Sequence, residues 1–215
     1  MDSSDKNQIA VELFNKAAEG YAEKFMDQSL YQDSFDRFCK ALPAPDSRIL
    51  DIACGPGNIS KYLLDKLPKL QLLGIDLAPR MIELAKKHNP KAEFLVWDSR
   101  KIGALGRKFE GIMCGFCLPY LNKEEALDML EQAAEILSSK GILYLSTMEG
   151  KYEDSGWEGP SSGEGPQIFM HYHEGSYLIP ALKNLGFEIL FQHRQDFDKH
   201  AHKKFTDLIL IARKP

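Results

Sequence analysis

Residues 48–58 read Arg-Ile-Leu-Asp-Ile-Ala-Cys-Gly-Pro-Gly-Asn. An apolar run from Arg48 to Ala53 meets a glycine-rich turn, and an amphipathic stretch from Ile59 to Leu67 follows. That order is a buried strand handing over to a helix, the opening of a parallel strand–helix–strand unit. The same alternation continues outward. Leu70–Ile75 is a second strand, followed by a helix from Pro79 to His88, where proline's missing N–H suits the first helical position. Ala92–Val96, Gly111–Cys114 and Gly141–Ser146 supply three more strands. Glu124–Leu137 is a long helix with Leu127, Leu130, Ala134 and Leu137 on one face.

Toward the C-terminus, a helix near Gly175–Leu185 precedes two runs, Phe187–His193 and Phe205–Ala212. About ten residues separate those runs, too few for a helical crossover, so they pair antiparallel. The expected fold is α/β: a doubly wound, Rossmann-like sheet with helices on both faces. Two segments stand outside the alternation. Residues 6–42 hold two helices, Gln8–Phe25 and Ser29–Leu42, and residues 1–45 are expected to act as a helical lid. Residues 155–166, rich in Gly, Pro and Ser, are expected to be irregular, within a loop insertion at 148–174 near the substrate pocket. The whole, 1–215, is expected to be a single domain.

With 44% hydrophobic and 27% charged residues, the composition is that of an ordinary soluble protein and excludes disordered and collagen-like classes. The net charge of -4 argues against a surface built to neutralise a nucleic-acid backbone. Four cysteines are too few for a disulfide scaffold. No leader-like apolar stretch opens the chain and no membrane-length run occurs, so a cytoplasmic location is expected.

Three successive strand ends carry chemistry. Gly55 and Gly57 let main chain approach a ligand at the carboxyl end of the first strand, where ligands bind in such sheets. Asp76 ends the second strand, where a carboxylate can accept from both hydroxyls of a ribose. Asp98 follows the third strand, within reach of an adenine edge. The set points to an adenosine-containing ligand. A dinucleotide turn would place a third glycine where Ser60 stands, and no triphosphate-binding loop is present. Asp51 would repel a pyrophosphate and could help hold an ammonium group.

On these residues the chain resembles the class I S-adenosylmethionine-dependent methyltransferases, from about Phe14 to Ala212. Asp51–Gly57 resembles the family's first motif, with Ala53 in place of its usual first glycine. Gly74–Ala85 resembles the second and is the most specific match, and Leu95–Ser99 resembles the third. Phe109–Cys114 with Leu118–Leu121 is similar to the fourth strand and its ligand-facing end. The resemblance implies a seven-stranded sheet with an antiparallel last strand. It implies S-adenosyl-L-methionine as cofactor and S-adenosyl-L-homocysteine as product. Ala53, Gly55 and Gly57 would face the methionine moiety, Asp76 the ribose, Leu77 and Met81 the adenosine, and Asp98 with Ser99 the adenine. Cys114 would offer its carbonyl to the amino group, and Tyr21 would close over the cofactor from the N-terminal helix. Ala53 is expected to permit close approach without a positive φ.

Methyl transfer from a sulfonium needs alignment above all, so the acceptor is written less plainly than the cofactor. No Asn or Asp precedes Pro119-Tyr120, unlike members that methylate the exocyclic amine of DNA adenine or a protein glutamine amide, and a small-molecule acceptor is expected. His171 and His173, alternate residues on an extended segment, are candidates for a general base. Cys114 and Cys117 lack a second ligand pair for zinc and read as small buried hydrophobes, so no metal is expected. Lys199–Lys204 reads as a solvated turn between the last strands. A non-catalytic S-adenosylmethionine-binding or regulatory partner domain is the alternative function, and a nicotinamide dehydrogenase a more distant one. The accepting atom and the oligomeric state are not written in the sequence.

Overall fold

The computed structural model describes residues 3–25, 29–159, 165–198 and 204–215. In chain order the strands are β1 (Arg48–Ile52), β2 (Gln71–Asp76), β3 (Glu93–Val96), β4 (Phe109–Gly115), β5 (Leu137–Glu149), β6 (Gly156–Glu158), β7 (Ile168–Met170), β8 (Glu188–Asp198) and β9 (Lys204–Arg213). The helices are α1 (Ser3–Phe25), α2 (Gln32–Ala41), α3 (Asn58–Lys66), α4 (Pro79–His88), α5 (Lys123–Ile136) and α6 (Gly175–Asn184). Seven strands form one sheet in the order β3-β2-β1-β4-β5-β9-β8. The first five run parallel, while β9 lies antiparallel between β5 and β8.

The alternation of side chains along each strand builds a core on both faces, as a sheet covered by crossover helices requires. Leu50, Ile52, Leu73, Ile75, Leu143 and Leu145 pack toward α5 and α6. Ile49, Leu72, Phe94, Met113 and Tyr144 pack toward α2, α3 and α4. The chain reverses at β1, with β2 and β3 to one side and β4 and β5 to the other. The carboxyl ends of β1 and β4 therefore flank the switch point where such sheets bind ligands.

Several sequence expectations shift in detail. The N-terminal segment divides into α1, a 3-10 turn at Ser29–Tyr31 and α2. The buried face of α5 is Ala126, Met129, Leu130, Ala133 and Ile136, so Leu127 and Ala134 stand at its margin. This helix begins at a capping box, Asn122 and Glu125 each serving the other's backbone N–H. Residues 155–166 are not wholly irregular. Gly156–Glu158 pairs antiparallel with Ile168–Met170, and Lys6 of α1 sets its ammonium 3.5 Å from the Phe169 ring centroid. Residues 160–164 of that loop, and 199–203 of the basic turn, lie outside the described residues. Among the described residues no helix is long and apolar enough to cross a membrane.

The turn after β1 has an unusual backbone. Ala53, Gly55 and Gly57 take φ values of 54°, 53° and 78°. Ala53 thus does adopt the positive φ that its side chain was expected to forbid, in the place where the family resemblance has glycine. The ladder continues past the strand to hold it there, Cys54 N donating to Ile75 O at 2.9 Å. A left-handed non-glycine residue costs roughly 1–2 kcal/mol. Glycine at 53 relieves that strain but adds about 0.4–1 kcal/mol of unfolded-chain entropy. Ala53→Gly is therefore expected to leave stability within about 1 kcal/mol of the parent. A Cβ on Gly57 would lie 2.5 Å from Asn89 Nδ2 and 3.1 Å from Ala85 Cα, so Gly57→Ala meets both strain and overlap. Its expected loss is about 2–4 kcal/mol in chemical denaturation; equal effects at the two positions would contradict this account of the turn.

Candidate active site

The carboxyl ends of β1, β2 and β4 and the turn after β3 open into a cavity of about 130 Å³. Ala53 and Gly55 form its floor, and Asp76, Leu77, Ala78 and Met81 one wall. Trp97, Asp98, Ser99 and Arg100 close the far end, while Gly115, Phe116, Cys117 and Tyr120 stand opposite. Helix α1 roofs the cavity with Asn7, Val11, Phe14 and Tyr21. The sequence thus placed Tyr21, Ala53, Gly55, Asp76, Leu77, Met81, Asp98 and Ser99 in what the fold makes one cleft.

Asp76 joins two turns. Its Oδ2 accepts from Gly55 N at 2.9 Å and its Oδ1 from Ala78 N at 2.8 Å. Burial raises its pKa, and those two N–H groups, with that of Leu77, partly restore the charged form. Each carboxylate oxygen keeps a further lone pair. Tyr21 stands above, its phenol pushed up to about 12 by burial and by the Asp76 charge. Phe14 meets Tyr21 and Tyr120 edge-on, with centroids 5.7 and 5.3 Å apart, so α1 closes the cleft through aromatic edges. From outside, Arg80 donates its backbone N–H to Asn15 Oδ1 at 2.9 Å and pairs with Glu19.

At the far end Asp98 accepts from Arg100 Nη2 at 2.7 Å and from its backbone N–H at 2.9 Å. Arg100 also donates to Glu125 at 3.1 Å. The Arg100 hydrogen bonds outweigh burial and hold the Asp98 carboxyl below its ordinary value. With its amide oriented to satisfy both neighbours, Asn7 donates to the Tyr120 carbonyl at 2.6 Å and accepts from Arg100 at 3.0 Å.

Five other sequence candidates do not line this cavity. Asp51 is 1% exposed, beneath the turn, and accepts from Ser60 Oγ at 2.6 Å. There it braces the first turn of α3. Gly57 is buried against Asn89 and Ala85. Cys114 is inside β4, paired with Ile52 and Leu145, and the wall is made by the residues after it. His171 and His173 sit behind the Leu118–Tyr120 turn. His173 contacts the Leu118 carbonyl at 2.8 Å through Nε2 and the Tyr177 hydroxyl through Nδ1. His171 donates its backbone N–H to Pro119 O at 2.8 Å and stacks on Tyr152, and burial pushes its imidazole down to about 4. The pair braces the wall from outside.

Sequence reading missed Asn7, Val11, Arg100 and Phe116. The first two look like ordinary helix-face residues until α1 is folded across the sheet. Phe116 has φ 57°, a second left-handed non-glycine residue at the cleft and a strain that sequence does not display.

Residues 49–141 match a family model described as a methyltransferase domain. The demethylmenaquinone methyltransferase of Thermotoga maritima is 30% identical over 98 residues, covering 46% of this chain and 42% of that protein. The chain spans about half or less of the lengths of the curated relatives it matches first. Magnesium protoporphyrin IX methyltransferase of Synechocystis PCC 6803, solved with bound SAM, superposes with a TM-score of 0.72 at 18% identity, over 100% of this chain and 98% of that one. A 1,6-didemethyltoxoflavin-N1-methyltransferase of Burkholderia thailandensis gives 0.72 at 17% identity, over 100% and 91%. At these identities the solved structures establish a shared fold.

The buried Asp51 makes one property of the site's foundation measurable. Burial, reinforced by the Asp76 charge and opposed by Ser60, lifts its carboxyl to about 7. A carboxyl whose pKa is higher folded than unfolded stabilises the fold fully below its unfolded value, about 4, and that contribution is lost as pH rises through 7. Asp51→Asn, which keeps an acceptor for Ser60, is therefore expected to gain roughly 2–4 kcal/mol on the parent between pH 4 and pH 8. Denaturant titrations at both pH values check this, and a pH-independent difference would contradict it.

Proposed function

We propose that this chain, a class I S-adenosylmethionine-dependent methyltransferase, transfers the methyl group of that cofactor to a small-molecule acceptor. The observation that carries the reading is Asp76, which lines the cavity and is fixed by two main-chain N–H groups, each carboxylate oxygen keeping a further lone pair. That is the arrangement a ribose diol needs.

The residues present fit the cofactor. A Cβ built on Gly55 would meet only Tyr21 Cε1, at 4.0 Å, so the floor offers bare main chain to the methionine end. Leu77 and Met81 supply apolar flanks for the adenosine. The Asp98 carboxylate is taken up by Arg100, which leaves Ser99 and the adjoining main chain for the adenine edge. When bound, the cofactor supplies an activated methyl on sulfur. The protein's own work is to align that group with a nucleophile, worth several kcal/mol by proximity alone, and to exclude water beneath α1.

A small molecule suits the rest. Net charge -4 and the absence of Asn or Asp before Pro119 disfavour nucleic acid, and the relatives include demethylmenaquinone and trans-aconitate methyltransferases. A cytoplasmic location is consistent with this reading.

Calorimetry with S-adenosylmethionine and S-adenosylhomocysteine tests the cofactor site. The wild-type chain is expected to bind both. Asp76→Ala removes acceptors for two hydroxyls, each hydrogen bond to a charged group worth about 1.5–3 kcal/mol, and is expected to weaken binding 100-fold or more. A wild-type chain that binds neither compound contradicts the proposal. Tritiated methyl donor incubated with a metabolite extract then reports the acceptor.

A further inference from the structure

The cofactor end of the cleft does not use everything at this edge of the sheet. β5 ends here and β9 begins here, with Met148 opposite Asp207 in their antiparallel register. Asp207 is 1% exposed. Tyr31, the last residue of the 3-10 turn between α1 and α2, donates its hydroxyl to Asp207 Oδ2 at 2.7 Å. A buried acid is expensive, and one joined to a phenol at the ligand-binding edge asks for a purpose.

The pair is close to the cavity and firmly held. The Tyr31 ring packs against Phe116, which lines the cavity, with centroids 5.3 Å apart. Phe116 is fixed by its own left-handed backbone and by an N–H to Ser146 O contact of 3.1 Å. Behind Tyr31, Ser34 Oγ donates to its carbonyl at 2.7 Å and lies 3.1 Å from the Tyr144 hydroxyl. A run of aromatic and hydroxyl groups thus leads from the cofactor cleft to a buried carboxylate.

We infer that Tyr31 and Asp207 form the proton-accepting end of the acceptor site, so that the methyl acceptor is a hydroxyl or an amine N–H rather than a carboxylate. The inference rests on the methyltransferase reading and specifies its acceptor. The acceptor's oxygen or nitrogen forms the new bond to the methyl carbon, and the carbon–sulfur bond breaks with its electron pair going to sulfur. The acceptor's proton passes to the Tyr31 oxygen while the Tyr31 proton passes to Asp207 Oδ2. Tyr31 is the contact to the acceptor, and Asp207 is the positioning residue that receives the proton through it. A carboxylate acceptor carries no proton to remove and needs no base.

The test compares wild type with Tyr31→Phe, Asp207→Asn and the double variant. S-adenosylhomocysteine affinity by calorimetry is expected to stay within about twofold in any variant that folds, because neither side chain lines the cofactor cavity. Tritiated methyl transfer into a small-molecule extract is expected to fall about 100-fold or more in each single variant. The double variant should lose no more than either single one, as two parts of one relay do and two independent structural contacts do not. The wild-type product should retain its label in mild alkali, which releases methanol from methyl esters. Undiminished transfer in Tyr31→Phe, additive losses, or label released by alkali would overturn the inference. So would a wild-type chain that binds S-adenosylhomocysteine yet labels nothing in the extract. Failure to bind either cofactor form would remove the methyltransferase reading and this inference with it.

Discussion

The Asp76 carboxylate is the point on which the cleft depends. It ties the turn after β1 to the turn after β2 by accepting one main-chain N–H from each. Together with the Cys54 N–H to Ile75 O bond, this fixes the two strand exits at the spacing of one carboxyl group. The N–H groups help keep the acid charged in a place where burial alone would favour its neutral form. The residue that organises the turns is thereby left as an acceptor facing the cavity, and architecture and chemistry share one side chain.

A second linkage closes the far end. Glu125 accepts the Asn122 N–H of the capping box at 2.9 Å and receives Arg100 at 3.1 Å. Arg100 holds Asp98 and meets Asn7 of α1. The start of α5, the turn after β3 and the roof helix are therefore joined through one guanidinium, whose planar fork suits several acceptors at once. The roof also rests on the Phe14, Tyr21 and Tyr120 edges and on the outer Arg80–Glu19 pair, an exposed contact that adds little by itself. The left-handed Ala53 and Phe116, on the exits of neighbouring strands, add local strain on the same side of the sheet.

Much of this was legible in the sequence because it rests on period and punctuation. The strand runs, Pro79, the glycine turn and Asp76 are local signals, and each reports its own position in the fold. The short separation of the last two strands likewise revealed their antiparallel pairing. What was not legible depends on side-chain direction and on long-range folding. Asp51 and Asp76 are both acids at strand ends, yet one points under the turn and the other into the cleft. His171 and His173 have the alternation of a proton relay, but they bond to the Leu118–Tyr120 turn and do not line the cavity. Tyr31 and Asp207 are 176 residues apart, and no local pattern announces their contact. Ala53 showed the converse, since composition suggested an ordinary φ and the ladder to β2 imposed a left-handed one.

The most direct measurement is a crystal structure of the chain with S-adenosylhomocysteine bound. The account predicts both ribose hydroxyls within hydrogen-bond distance of the Asp76 oxygens, the methionine end over Gly55, and Phe14 and Tyr21 closed above. A ligand whose ribose lies away from Asp76, with the carboxylate engaged only by Gly55 and Ala78, would contradict it.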